Sequence, residues 1–290
     1  MLSPAVTTAV KLIFLGNPKS YPEAPSAVET IETHLSWVFL TDRYAYKLKK
    51  AVRLHGVDLC QVDARRENCR EEVRLNRRLA PSIYLGAIPL ILGEGTMQLG
   101  GAGPAIDWLV RMRRLPAELM LDHLIQTRTS GSIDLRPAIL LLCDLYLGGP
   151  PEPLTPEQYR RRLVVECEAS ERILCEQRYG WSLAQVRDPI SILRHFVADR
   201  ASLFERRVRE GRIVEGHGDL RPEHICLTDP PVIFDCLEFD RDLRVLDPVD
   251  EVAFLALECE RMGASALAQE IFAIYQECTL DVPGRDLEHF

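Results

Sequence analysis

The strongest constraint on how this chain can fold is a change of period partway along it. Up to about Arg113 the sequence reads in short, turn-bounded runs; after Pro116 it reads in long helical stretches. Trp37-Val38-Phe39-Leu40, the polar break Thr41-Asp42-Arg43 and Tyr44-Ala45-Tyr46-Lys47-Leu48-Lys49 predict a hairpin. From Asp63 to Ala80, Cys69, Val73, Leu75, Asn76 and Leu79 recur on a rough helical period among charges, and Pro81 stops the pattern. Tyr84 to Leu92, the GEGT turn and the run ending in IDWLVRMRRL predict a second antiparallel pair. Beyond Pro116 come AELMLDHLIQ, AILLLCDLYL, a segment opened by Thr155-Pro156-Glu157 and running to about Arg178, and ISILRHFVADRASLFERRV. Thr155 suits an N-cap and Pro156 the first helical turn. Only Ile225–Leu227 and Val232–Asp235, separated by Thr-Asp-Pro-Pro, interrupt the helices, as a short hairpin.

A chain of 290 residues exceeds one compact small domain, so two lobes are expected: 1–114, with helix 63–80 and a hinge near 110–114, and 115–290, mainly helical. With 47% apolar and 27% charged residues the composition is globular, with an ample core. A net charge of −8 argues against nucleic acid and anionic membrane as partners, because both repel a negative surface. The nine cysteines contain no C-x-x-C pair, which excludes a zinc ribbon or thioredoxin-like motif; an odd, scattered set suits reduced thiols and a cytoplasmic setting. MLSPAVTTAVKLIFL lacks a basic leader region and carries Lys11 in its apolar run, so it reads as a short amphipathic helix rather than a signal peptide or membrane span.

Residues 217 to 227, HGDLRPEHICL, hold two of only seven histidines, and these flank Asp219. Set beside the kinase catalytic-loop pattern H-R-D-L-K-P-E-N, the stretch matches in order without a gap. With HGDL in place of HRDL, the chain resembles the aminoglycoside phosphotransferase and choline kinase family, in its bacterial branch carrying ETHxSWVFL and RLNRRLAP. The resemblance implies an α+β, two-lobed protein kinase-like fold, with a small antiparallel-sheet lobe bearing one key helix and a larger helical lobe. It implies ATP, a divalent metal and a small-molecule hydroxyl as the reaction's components. Phosphoryl transfer needs a carboxylate to orient and deprotonate the hydroxyl, cations against the triphosphate, and carboxylates for the metal. By resemblance, Asp219 is the base, Arg221 the transition-state contact and His217 a scaffold for the loop. Asp235, sixteen residues after Asp219, falls at the metal-binding aspartate. His224 occupies the position of the loop's asparagine ligand; its nitrogen suits manganese or zinc better than the expected magnesium.

In the amino-terminal part, Tyr44-Ala45-Tyr46-Lys47 resembles the V-A-I-K strand: Ala45 leaves room for adenine and Lys47, on the same face, reaches phosphates. Lys49 and Lys50 read as exposed rivals of Lys47. Glu72 shares the helix face of Leu75 and Leu79 and is placed to orient Lys47, with Glu71 the alternative. Ser36 stands where a glycine-rich loop is usual and offers its hydroxyl and N–H to the β-phosphate. Val110 to Arg113 is the expected hinge, which makes Met112 a nucleotide contact, although Trp108 and Met112 read more readily as core. Asp247 and Asp250 of Asp-Pro-Val-Asp are read as structural, and Glu238, Asp240 or Asp242 as a possible seat for a cationic acceptor. The second reading is a nucleotide-binding pseudokinase with little turnover, and a His/Asp phosphohydrolase is the poorer third. The family continues past Phe290 with a further helix, so a truncated chain, and with it dimerisation, is a further expectation.

Overall fold

The computed structural model describes residues 6–54, 57–93, 95–127, 133–283 and 287. Residues 1–5, expected to open the first helix, lie outside them, as do Glu94 of the GEGT turn and most of the last seven residues. The chain forms two compact units that are not consecutive in sequence: residues 1–141 with 221–241, and 142–220 with 242–290. The linear cut expected at 114 is therefore redistributed. The hairpin after the HGDL motif, expected among the helices, groups with the sheet.

In the first unit, helix α1 (Thr8–Leu15) starts where the Thr7 hydroxyl accepts the Val10 N–H. Strands β1 (Glu29–Glu32), β2 (Ser36–Leu40) and β3 (Tyr44–Lys49) follow, with the expected turn at Thr41–Arg43. Short strands β4 (Arg53–Leu54) and β5 (Val57–Asp58) lead into α2 (Val62–Asn76). The helix is shorter than the expected 63–80: after Asn76 the chain tightens into turns, with Arg78 N–H donating to Leu75 O and Ala80 N–H to Asn76 O. Strands β6 (Tyr84–Gly93), β7 (Thr96–Leu99) and β8 (Ala105–Arg113) make three strands where two were expected. The sheet order is β1-β2-β3-β8-β6-β7, antiparallel throughout. β1, ETIE, is exposed along its length, the charged edge that discourages further strand pairing.

Alternation along the central strands feeds two cores. Ala45, Val110 and Met112 pack with Cys69 and Val73 of α2, together with Cys226 and Val232. Phe39, Tyr46, Leu48 and Leu109 face the other way, toward Leu15 and Tyr21. Helix α3 (Leu121–Thr127) and the ribbon β10 (Ile225–Cys226) with β11 (Val232–Ile233) complete the unit, once β9 (Val214–Glu215) of the second unit has been passed. Leu227 N–H donates to Leu119 O, and Met120 bridges to Cys226.

The second unit is helical. It takes the latter part of α4 (Arg136–Gly148), then α5 (Pro156–Leu174), α6 (Leu183–Asp199), α7 (Ala201–Arg209), α8 (Pro248–Arg261) and α9 (Ser265–Thr279). Thr155 is the N-cap expected, in a full capping box with Gln158; Ser182 and Gln185 repeat the device on α6. The helical stretch expected from Ile190 is two helices, α6 and α7, separated at Arg200. β9 pairs antiparallel with β12 (Val245–Leu246). No disulfide joins cysteines among the described residues, and no helix there is long and apolar enough to cross a membrane.

Candidate functional site

In the first unit, β3 and α2 build a chain of alternating charges. Ala45, Lys47 and Lys49 lie on one face of β3, the face covered by α2. Helix α2 answers with a buried stripe that is largely polar: Arg65, Asn68, Cys69, Glu72, Val73 and Asn76 recur at helical spacing. Glu72, 0% exposed, meets Lys47 Nζ through Oε1 at 3.0 Å and Lys49 Nζ through Oε2. Glu71, the alternative orienter, points outward and pairs with Arg74 instead. Lys47 Nζ also reaches Asp235 Oδ1 at 2.5 Å, and Lys49 Nζ reaches Glu238 Oε1 at 2.6 Å. The sequence Asp235–Lys47–Glu72–Lys49–Glu238 is thus one continuous ionic path. Lys49, read as exposed, is one of the largest fully enclosed side chains of the molecule, because two carboxylates compensate its charge. Lys50 lies over the Trp37 ring and pairs with Glu32.

Asn76 and Tyr84 lock the segment that carries Asp235. Asn76 donates to Glu72 O and accepts from Cys236 N–H at 2.9 Å, and the Tyr84 hydroxyl accepts the Asp235 N–H at 3.2 Å. Asp235 itself has φ +63°, left-handed backbone that aspartate tolerates better than most residues. Burial alone would lower the Lys47 ammonium, but Asp235, Glu72 and Glu238 reverse this and hold it well above the ordinary lysine range. Burial works to raise the Asp235 carboxyl; Lys47, then His224, outweigh it and keep it well below the ordinary range. His224 Nε2 lies 3.8 Å from Asp235 Oδ2. A carboxylate kept ionised beside one imidazole nitrogen fits two ligands of a divalent ion, manganese or zinc more readily than magnesium. Among the described residues no third His, Cys, Asp or Glu joins them, so phosphate and water oxygens would complete such a shell.

The other residues singled out in this unit fall as follows. Arg221 is partly exposed, its Nη1 3.8 Å from Glu223 Oε1. Ala45 and Met112 are neighbours across the β3–β8 ladder and share a core with Cys226 and Val232. The expected hinge is strand: Val110 to Met112 pair on both edges and Arg113 with Tyr44 of β3, so their backbone serves the sheet, and the chain leaves the ladder only after Arg113. Ser36 is 0% exposed at the start of β2, opposite Lys49, so its hydroxyl is enclosed in protein rather than offered to a phosphate. Glu238, read as an acceptor seat, is committed to Lys49.

In the second unit, the β9–β12 ribbon delivers Gly216-His217-Gly218-Asp219 over the start of α8. The buried Glu251 carboxylate accepts the Gly218 N–H and, at 2.8 Å, the Tyr146 hydroxyl. Burial raises it to about 7, against the pull of the Gly218 and His217 N–H groups and Tyr146. Gly218 has φ +88°, which a glycine adopts without strain. A Cβ on Gly216 would fall 2.6 Å from Glu251 Oε2, so a side chain there would have to push the carboxylate aside. His217, 0% exposed, accepts the Asp219 N–H on Nδ1 at 3.3 Å, a scaffolding contact. Asp247 caps α8 and pairs with Arg207, whereas the side chain beneath the loop is Glu251, not Asp250. Sequence reasoning missed Glu251, Tyr146, Lys49 and Tyr84; a Glu one helical step past the Asp-Pro-Val-Asp run was the only signal for the first.

No protein-family profile matches the chain. Uncharacterised proteins of Mycobacterium tuberculosis and Mycobacterium bovis are each 30% identical over 279 residues, covering 91% of this chain and 52% of the relative. The chain spans about half the length of these curated relatives. Among solved structures, APH(2")-IIia in its GDP and kanamycin complex superposes with a TM-score of 0.50 at 14% identity, covering 96% of this chain and 86% of that one. The aminoglycoside phosphotransferase APH(3'')-Id of Streptomyces rimosus, with ADP and streptomycin, gives 0.49 at 16% identity, covering 98% and 96%. With its antiparallel six-stranded sheet, the buried pairing of Lys47 with Glu72, and the helical second unit, the chain has the protein kinase-like fold of the aminoglycoside phosphotransferases.

Proposed function

We propose that the chain is a nucleotide-dependent phosphotransferase that moves a γ-phosphoryl group from ATP to the hydroxyl of a small molecule. The observation that carries this reading is the Lys47 ammonium, fixed between Glu72 and an ionised Asp235 within one unit. A cation held so firmly by carboxylates at one end of a network is suited to neutralise phosphate oxygens. Asp235 and His224 would hold the divalent ion, which would supply positive charge against the phosphate oxygens. Asp219 would orient the acceptor hydroxyl and take its proton, on a loop whose backbone is fixed by Glu251 and His217. Arg221, two residues on, would donate paired hydrogen bonds to the transferring group. The solved neighbour was captured with GDP, so the base of the nucleotide is part of the test.

The experiment is a thermal-shift titration with ATP and GTP, each with magnesium, manganese or zinc. It is followed by a screen of metabolite extract for nucleotide-dependent mass gain of one phosphate. Wild type should bind and transfer; Asp219→Asn should bind equally and transfer about 10²–10⁴-fold more slowly. Nucleotide binding with no Asp219-dependent turnover would replace this reading by that of a nucleotide-binding regulator. Absence of any nucleotide response would end both.

A further inference from the structure

We infer that Lys49 is a positioning residue for nucleotide binding, a second anchor that fixes Glu72 and the Asp235–Glu238 segment so that Lys47 is held in place before a nucleotide arrives. This inference rests on the phosphotransferase reading for its purpose, though not for its geometry. Lys47 and Lys49 are two residues apart on one face of β3, and Glu72 divides its two oxygens between them. Lys49 then continues to Glu238, three residues past Asp235. Without Lys49, Glu72 and Glu238 would be two buried carboxylates left to one ammonium, Lys47, which pairs directly with Glu72 and acts on Glu238 only at longer range. The segment bearing Asp235 would keep its backbone ties to Tyr84 and Asn76 and the Lys47–Asp235 pair, but lose the second of its two ionic ties to the strand, the one through Glu238. Burial opposes the charge on Lys49, but Glu238 and Glu72 outweigh it, so the side chain stays an ammonium. The network holds three carboxylates against two lysines, and its surplus negative charge sits with the member most open to solvent, Asp235, at 37%. Lys49 is what keeps the inner end neutral so that the surplus is expressed at the outer end.

The test compares wild type with Lys49→Met, Lys49→Arg and the double variant Lys49→Met/Glu238→Gln. Two readouts are taken: the rate at which the Lys47 amine is acylated by a trace of acetic anhydride, followed by mass spectrometry, and ATP affinity with manganese. Lys49→Met should lower the melting temperature and speed Lys47 labelling. The double variant, with no carboxylate left unanswered at position 238, should recover the melting temperature. Its Lys47 should still label about tenfold faster and its ATP affinity stay about tenfold weaker, a coupling ordinary for contacting charges. Lys49→Arg should restore labelling toward wild type. If the double variant regains wild-type labelling together with its stability, Lys49 merely compensates Glu238 and the inference falls. If wild type binds no nucleotide, the phosphotransferase reading fails while the labelling arm still decides whether Lys49 positions Lys47.

Discussion

A buried ionic network in the helical unit and another in the sheet unit use the same chemistry to different ends. In the helical unit, Arg207 sends its fork to both oxygens of Asp247 and both of Asp281, each contact 2.6–2.7 Å, and Tyr275 donates to Asp281. Every member is enclosed, and the network joins α7, the α8 cap and the chain after α9. In the sheet unit, the path from Glu238 to Asp235 runs through two lysines and ends at a carboxylate with more than a third of its side chain in solvent. The first is closed on itself and holds architecture. The second is open to solvent at one end, and on the phosphotransferase reading that exposed carboxylate is where a ligand would arrive.

That contrast can be broken at its closed end first. Arg207→Met leaves two carboxylates buried without their cation and should cost about 3–5 kcal/mol of stability by chemical denaturation, leaving ATP affinity of the folded protein unchanged. A change in affinity as large as that in stability would show that the closed network is not purely architectural. Glu251 supplies the next effect. Its carboxyl titrates near 7 in the fold and at 4.5 when unperturbed. The folded state therefore binds the proton more tightly, and its contribution is full below 4.5 and lost as pH rises through 7. Unfolding free energy should fall over this window by up to about 3 kcal/mol, and Glu251→Gln should flatten the profile. At the open end, Asp235→Asn brings the network to two carboxylates and two ammoniums. Stability should change by less than about 1 kcal/mol, while metal-dependent ATP affinity drops at least about tenfold. A severe loss of stability instead would make the open network structural. Last, Thr155→Ala removes one arm of a capping box far from either network in sequence and should cost about 1 kcal/mol in denaturation, with no change in ATP affinity.

Much of this was legible in the residues, and the misses share a cause. The period-2 pattern of β3 and the helical period of Asp63–Ala80 placed Lys47 and Glu72 on faces that meet, because both arguments are local. The same alternation points Lys49 inward with Lys47, yet a lysine reads as exposed unless a partner is known. Its partner Glu238 lies 189 residues away. Asn76, which clamps Cys236 across 160 residues, was visible on the helix stripe but not its purpose. The stretch expected as a hinge is strand, because a strand's end is fixed by its neighbours' registers, and β6 and β3 both continue to pair beside Met112. The enclosed Ser36 hydroxyl is a similar case: its place opposite Lys49 is a matter of ladder register, which the tripeptide His34-Leu35-Ser36 does not encode.

Gly216 and Glu251 carry a consequence for how sequences of this kind can drift. The carboxylate occupies the volume that any side chain at 216 would need, with Oε2 only 2.6 Å from a Cβ there. With a glutamate at 251, any side chain at 216 would have to displace the carboxylate from its Gly218 and Tyr146 partners. An aspartate, withdrawn by one methylene, about 1.5 Å, would relax the conflict. The two positions form a single heritable unit: in relatives, a side chain at the first should appear only alongside a shorter acid at the second.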